Sequence, residues 1–452
     1  MALIHNNLII NKNSDKYTPF LFNLISGRRK LLSQNEFTNA CAMYAKQNVF
    51  AYNAEETELY NKLVAEKQFV NDEERFNIEN ELILGGYFKI KNNYADDLSF
   101  TIELTKSCNM ACSYCYAKSR SNKNTSMTKE HVNGIYKFFK SYAHDQNKIS
   151  EAKYITITGG EPLVNTETVE IIRYISSLWS EAKLYLFTNG TNIIKYYDKL
   201  PLGSIKEVHV SLDGVKDVHM KRRYSDFNVA NNSYEDIIAG IKKLLLDGIV
   251  VRIQTVYDRT SYLKCIELVE FLEKEGISKF LNFGHDYGVV IDFSAPLDID
   301  NNFNDKNDII KFQNYALETG VFPPPVLPSA QILYQALNRP KNEPFMPRHQ
   351  RCESKKFSKY FFSCDGNVYF CENVNNGKGV IGTYYPSLSL DNEATSKLFN
   401  RSVMNNDTCK KCAYKFVCLG GCPKSAETKN REMTCGIFAD EESLDNLEFN
   451  YY

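Results

Sequence analysis

The chain has 452 residues, too many for one ordinary domain, and 43% apolar with 24% charged residues is the composition of a soluble globular protein. A formal net charge of −1 gives no electrostatic case for nucleic acid or an anionic membrane, and no run approaches the roughly 20 apolar residues of a membrane span. The opening MALIHNNLII lacks the basic and apolar regions of a signal peptide, so a cytoplasmic location is expected; the 13 cysteines there point to metal or redox chemistry, not a disulfide framework.

Residues 1–97 read as a small α+β domain of winged-helix type. YTPFLFNLIS and RRKLLS have the look of two strands, with Arg28-Arg29-Lys30 as a solvated turn. Ser33-Gln34-Asn35-Glu36 is a capping box that opens a helix, and a second helix follows Asn53. A charged helix is expected near 72–83. Cys41 stands alone and is read as a structural thiol.

From 98 to about 300 short β-rich runs alternate with amphipathic helices. The runs are LSFTIEL (98–104), YITITGG (154–160), LYLFTNG (184–190), EVHVSLDG (207–214), VVRIQTVY (250–257) and KFLNFGH (279–285). Between them, Ile237, Ile238, Ile241, Leu244 and Leu245 share one helical face between Ser233 and the stop Gly248. Cys265 falls in another such helix, capped by Ser261 and stopped by Gly276, as a buried thiol. Alternating strand and helix give right-handed βαβ units and a parallel sheet, so the fold class is α/β, a partial (β/α)6 TIM-like barrel. The polar and glycine-rich turns all follow strands, which in such barrels is the active rim. Residues 301–347 read as a connecting segment, with the polar tract DIDNNFNDKND (298–308) across its start and VFPPPVLP within it. The region 348–452 has few helix patterns and is rich in cysteine, as expected of a domain that metal holds together.

The turn after the first barrel strand reads C-N-M-A-C-S-Y-C, with Cys108, Cys112 and Cys115. Thiolates select zinc, copper(I) or iron–sulfur clusters, and a structural zinc would need a fourth ligand that this loop does not supply. A cubane on three cysteines leaves one iron open to a chelating small molecule. In this spacing, C-x3-C-x2-C with an aromatic before the last cysteine, the chain resembles the radical S-adenosylmethionine (SAM) enzymes. The resemblance implies a [4Fe–4S] cluster whose open iron is chelated by SAM, and a 5′-deoxyadenosyl radical that abstracts hydrogen from substrate. It assigns Gly159, Gly160 and Glu161 to the cofactor's amino group and places Tyr114 near the adenine. It also gives Ser211 to the ribose and Arg223 to the cofactor's carboxylate, with Arg222 as a neighbouring alternative. Asn189, in the turn Thr188-Asn189-Gly190, follows in the family's order as a cofactor-binding position.

Towards the C-terminus, Cys409-x2-Cys412-x5-Cys418-x3-Cys422 with Cys435, preceded by Cys352 and Cys371, resembles the seven-cysteine SPASM pattern of many such enzymes. The resemblance implies two auxiliary [4Fe–4S] clusters, one on Cys409, Cys412, Cys418 and Cys435, the other on Cys352, Cys371 and Cys422. YFFSCDGNVYFCE reads as a hairpin turning at Asp365-Gly366, with Cys364 opposite Asn367 and too far from Cys371 to share its cubane, so that site stays open to a substrate thiolate. Peptide maturases of this class often begin with a winged-helix unit that adds a leader peptide as a strand. The expected function is therefore a maturase of a ribosomally made precursor peptide that forms a thioether crosslink, with an external donor such as flavodoxin or ferredoxin. Carbon–carbon crosslinking, epimerisation and anaerobic sulfatase maturation are the alternatives, and a non-catalytic cluster protein is the reading from another class. Sulfatase maturases place an aspartate where this chain has Glu372, a departure that leaves Glu372 as a candidate base.

Overall fold

The structure is a computed structural model. It describes residues 7–69 (save 25, 47 and 48), 77, 99–112, 114–115, 124–142, 152–223, 233–258, 261–289, 359–372 and 379–410, together with 412, 415, 419–423, 426, 432 and 433. Two compact units are present, one of 1–89, 303–352 and 400–452, the other of 90–302 and 353–399.

In the first unit, β1 (Asn7–Ile10), β2 (Phe20–Asn23) and β3 (Arg29–Leu31) form an antiparallel sheet in that order. The expected capping box is present: Ser33 N–H donates to Glu36 at 2.9 Å and Glu36 N–H donates to Ser33 Oγ at 3.3 Å. It opens α1 (Gln34–Lys46), and Asn53 caps α2 (Ala54–Ala65) with a second such box. Ile9, Leu21, Met43, Leu59 and Leu63 make the core, with Cys41 packed at its edge. Strand β1 was not foreseen, being four residues long and flanked by polar ones. The helix expected near 72–83 lies outside the described residues.

The second unit is built on six parallel strands: β4 (Ser99–Glu103), β5 (Tyr154–Thr158), β6 (Lys183–Thr188), β7 (Ile205–Ser211), β8 (Val250–Tyr257) and β9 (Phe283–Val289), adjacent in sequence order. Their alternate residues Phe100, Ile102, Ile155, Ile157, Leu184, Leu186, Val208, Val210, Val251 and Ile253 are buried in the core. Among the described residues the helices α3 (Lys129–Tyr142), α4 (Thr166–Leu178), α5 (Ile193–Tyr196), α6 (Lys216–Arg222) and α7 (Ser233–Leu246) lie between β4 and β8. The face of α7 that buries Ile237, Ile241, Leu244 and Leu245 is the expected one. Helix α8 (Cys265–Lys274) precedes β9 and buries Cys265, whose thiol donates to the Ser261 carbonyl at 3.8 Å; Ser261 opens a short 3-10 turn there and makes no side-chain cap bond. The last strand lies four residues later than KFLNFGH suggested, because Ile277–Lys279 closes a 3-10 turn first.

The strand β10 (Lys359–Ser363) was not expected in this sheet. It runs parallel to β4 on the side away from β5, and β11 (Asn367–Tyr369), β12 (Val380–Thr383) and β13 (Ser389–Leu390) extend the sheet antiparallel to ten strands. Residues 359–390 thus lengthen the sheet of the barrel, and the helix α9 (Asn392–Asn400) follows them. Phe362 makes the join. Its ring is fully buried, 5.2–5.7 Å from the rings of Phe100, Phe138, Phe139 and Tyr384. Phe362→Ala should therefore lower stability by about 3–5 kcal/mol, read as a shift in urea midpoint at constant m-value.

The hairpin register differs from the expected one by a residue. Phe361 faces Tyr369 and Phe362 faces Val368, which leaves Cys364, Asp365 and Gly366 as a three-residue turn. Gly366 takes φ +86° and its N–H donates to Ser363 O at 3.0 Å, so the left-handed residue closes the turn. Cys364 consequently does not face Asn367. Its sulfur sits 1% exposed and donates to the Thr125 carbonyl at 3.4 Å.

Candidate active site

The loops after β4 and β5 cross so closely that the sequence between them is dictated by backbone contact. A Cβ on Gly159 would lie 2.7 Å from the Thr105 carbonyl oxygen, and one on Gly160 2.2 Å from that of Ser107. The crossing is fixed by Gly160 N–H donating to Thr105 O at 2.7 Å and Glu161 N–H to Ser107 O at 2.8 Å. Cys108 is the next residue. The two glycines therefore place the cysteine loop, besides offering backbone to a ligand.

Glu161 ties in a third loop. Its carboxylate is 1% exposed and accepts from Leu163 N–H at 2.8 Å, Thr188 Oγ1 at 2.6 Å and Asn189 N–H at 2.6 Å. Burial pushes this carboxyl above its usual range, and those bonds with the more distant Arg223 pull it back in part. Glu161→Ala would leave these donors without their acceptor inside the protein, so a loss of about 3–5 kcal/mol is expected, again read in urea. Asn189 in turn donates to Asn109 Oδ1 at 2.7 Å and accepts from Thr191 N–H at 3.0 Å, while Asn109 donates to Thr191 Oγ1 at 2.9 Å. Asn109 lies inside the cysteine triplet, so the triplet is braced from two strands at once.

The other side of the triplet is braced by charge. Tyr114 donates its hydroxyl to Asp213, just beyond β7, and its ring lies 4.9 Å from the Arg222 guanidinium and 5.6 Å from that of Arg223. Arg223 donates from Nε and Nη2 to the two Asp213 oxygens at 3.0 and 3.1 Å. Arg222 is engaged by the Asp258 carboxylate and donates to Val256 O at 3.0 Å. Burial opposes ionisation of Asp213, yet Arg223 holds its carboxyl below the usual range. Ser211 is half-buried at the end of β7, opposite Gln254 of β8.

Cys108, Cys112 and Cys115 are half-buried on one loop, with Cys115 N–H donating to Cys112 O at 3.2 Å. Burial first, then the Glu161 carboxylate, push the Cys108 thiol up to about 12, and the other two sulfurs are near enough to contribute. A thiol placed as Cys108 is ionises only for a bound cation. Among the described residues no three Cys, His, Asp or Glu side chains are gathered around a single ion. Three neighbouring cysteines on one loop suit a cubane, where each sulfur binds a different iron. A carboxylate on the cofactor also has a match: Asp213 occupies the side-on edge of Arg223, and the guanidinium's end-on pair, Nη1 and the second Nη2 hydrogen, is left to donate to a second carboxylate. The residues present fit both groups.

The remaining sequence candidates lie elsewhere. Cys371 is half-buried just past β11 and Glu372 after it is exposed, both in the unit of the parallel sheet. In the other unit Cys409 is buried on the short helix α10 (Asp407–Lys410), with Cys412 N–H bonded to its carbonyl at 3.0 Å and Cys422 half-buried. Leu419, Gly420 and Gly421 before Cys422 all take left-handed φ, from +54° to +77°. Cys352, Cys418 and Cys435 lie outside the described residues. Asn109, Thr188, Thr191, Asp213 and Asp258 were not foreseen as site residues; the turns Thr188-Asn189-Gly190 and Ser211-Leu212-Asp213-Gly214 were their one visible signal.

Residues 102–272 match the Radical SAM superfamily. The probable GTP 3′,8-cyclase of Pyrococcus horikoshii is 31% identical over 142 residues, 31% of this chain and 41% of that protein. The GTP 3′,8-cyclase of Clostridium perfringens is 26% identical over 171 residues, 37% of this chain and 49% of that protein. The chain thus spans about half or less of these curated relatives. Among solved structures, anSMEcpe with bound AdoMet and a Cp18Cys peptide gives a TM-score of 0.57 at 16% identity, over 78% of this chain and 96% of that one. Streptococcus suis SuiB bound to the precursor peptide SuiA gives 0.54 at 16% identity, over 96% of this chain and 98% of that one. These two likenesses are likenesses of fold.

Proposed function

The chain carries a radical SAM domain, and on that premise we propose that it is a maturase that crosslinks a ribosomally made precursor peptide through a thioether. The observation that carries the peptide reading is the extent of the likeness to SuiB, a protein seen with its precursor peptide, which covers 96% of this chain where the anSMEcpe likeness covers 78%. The identity to GTP 3′,8-cyclases covers 31–37% of the chain in the two relatives above and supports no cyclase reading for the rest.

When bound, a reduced cluster and SAM would supply one-electron cleavage of the sulfonium and, through it, hydrogen-atom abstraction from the substrate. The chain's residues bind and orient. Cys108, Cys112 and Cys115 would hold the cluster on the loop that Gly159, Gly160 and Glu161 fix, and those last three residues would also serve the cofactor's amino group. Asn189 braces the triplet, while Ser211 would take the ribose, Tyr114 the adenine and Arg223, by its end-on edge, the cofactor's carboxylate. The C-terminal cysteines hold two auxiliary clusters, Cys409, Cys412, Cys418 and Cys435 one and Cys352, Cys371 and Cys422 the other. In this reading the latter keeps a position for a substrate sulfur, and the bond of the Cys364 thiol to the Thr125 carbonyl supports leaving Cys364 out of its ligands. Glu372 is the base beside it, the small sheet β1–β3 takes the leader, and a flavodoxin or ferredoxin supplies electrons.

Sequencing the open reading frames beside this gene and co-expressing the chain with any short cysteine-bearing peptide found there tests the reading. The expected product has lost two hydrogens and one alkylatable thiol. A product with its thiols intact would favour carbon–carbon crosslinking, and formylglycine in a sulfatase would replace the reading altogether. Iron on the reconstituted chain should approach about 12 atoms, three clusters of four.

A further inference from the structure

Asp213 is 1% exposed, and its carboxylate gathers donors from separate segments. One oxygen accepts from the Tyr114 hydroxyl and from Arg223 Nε at 3.0 Å; the other accepts from Arg223 Nη2 at 3.1 Å and from Val256 N–H at 3.2 Å. Its own N–H donates to Nδ1 of the buried His219, on the helix α6 that delivers both arginines. A carboxylate accepts about four hydrogen bonds, so this one has no lone pair left for a ligand or a proton. What it can do is fix other groups. Two cations and two anions, Arg222, Arg223, Asp213 and Asp258, are each less than a tenth exposed, and both guanidinium groups lie over the ring of Tyr114, whose hydroxyl donates to Asp213. Tyr114 is bonded in sequence to Cys115, so this charge-balanced group and the cluster loop move together or not at all.

The contact with Arg223 is side-on, through Nε and Nη2, and it selects one orientation of a plane that would otherwise rotate. We propose that Asp213 is the positioning residue of the cofactor site, presetting the end-on edge of Arg223 for the carboxylate of SAM and registering that edge to the cluster loop through Tyr114. The proposal rests on the radical SAM reading. Asn at this position keeps the volume but turns one acceptor into a donor facing a guanidinium, so the fork is released and not merely weakened.

The test compares two ligands, SAM and its decarboxylated analogue, by anaerobic calorimetry on the full cluster-loaded chain. The wild type should bind SAM about tenfold or more tightly than the analogue, the worth of a charge-assisted bidentate pair. In Asp213→Asn the affinity for SAM should fall about tenfold while that for the analogue stays within about twofold, narrowing the gap by the share that Arg223 contributes beyond iron ligation. Asp213→Glu, which keeps the charge but displaces the fork by a methylene, should narrow it as well, and it decides the matter alone if the Asn variant does not fold. Equal losses for both ligands would make Asp213 an ordinary structural residue, and no loss for either would make it dispensable; each result overturns the proposal. A wild type that binds neither ligand would overturn the cofactor reading itself, which separates the two failures.

Discussion

Cys112→Ala abolishes 5′-deoxyadenosine production and leaves the parallel sheet folded. The residue lies on a loop, half-buried, outside every strand and helix, so its replacement should cost no more than about 1 kcal/mol of stability. Its chemical effect is of another order. The triplet has no spare: His131, the nearest histidine after it, lies on α3 and bonds to Thr128 through Nδ1 at 3.0 Å. A cubane left with two cysteines loses its geometry and its open corner. Product formation should drop by more than about 1000-fold, with roughly four of the iron atoms lost. The checks are product by mass spectrometry and iron by colorimetry, beside an unchanged circular dichroism spectrum. Product above about a tenth of wild type would show that Cys112 is not a ligand.

The second large effect is steric. In Gly160→Ala the new methyl would meet the Ser107 carbonyl oxygen at 2.2 Å, its carbon at 2.6 Å and the Lys106 oxygen at 2.9 Å. All are backbone atoms, so no side chain can turn aside. Either the β5 loop or the cysteine loop must move, and the bonds Gly160 N–H to Thr105 and Glu161 N–H to Ser107 are strained with it. A cost above about 3 kcal/mol is expected, with the cluster poorly incorporated because Cys108 follows Ser107 directly. Gly203→Ala is the control: its Cβ would meet nothing within 4 Å, and the urea midpoint should change by less than about 0.5 kcal/mol equivalent. Matching behaviour of the two variants would remove the reason given for the glycine pair.

Much of this was visible in the residues alone, for physical reasons. Strands β5 and β8 alternate buried and half-buried positions residue by residue, and stop residues such as Gly248 and Gly276, both at left-handed φ, end the helices around them. The rim followed, since turns after parallel strands share one end of the sheet. Long-range pairing was not visible. β10 joins β4 across more than 250 residues, and no local pattern in KYFFS distinguishes a parallel partner from a separate hairpin. Asp-Gly was read as a two-residue turn, whereas Gly366 closes a three-residue one, and the slip moved Cys364 from a strand to a buried turn. β9 runs through two glycines in GHDYGV, beyond the end of the run KFLNFGH that marked it in the sequence. In the site, the motif residues were legible by type but their partners were not. Glu161 turned out to hold Thr188 and Asn189, and Asp213 to hold Arg223 and Tyr114; a carboxylate's partner is set by the fold.

The most direct test of the whole account is a single incubation. Wild-type chain, reconstituted with iron and sulfide and verified for cluster content, is mixed anaerobically with dithionite and SAM. The account predicts 5′-deoxyadenosine and methionine in equal amounts, formed with wild type and absent with Cys112→Ala. A fully loaded wild type that leaves SAM uncleaved, with the precursor peptide present, would contradict it.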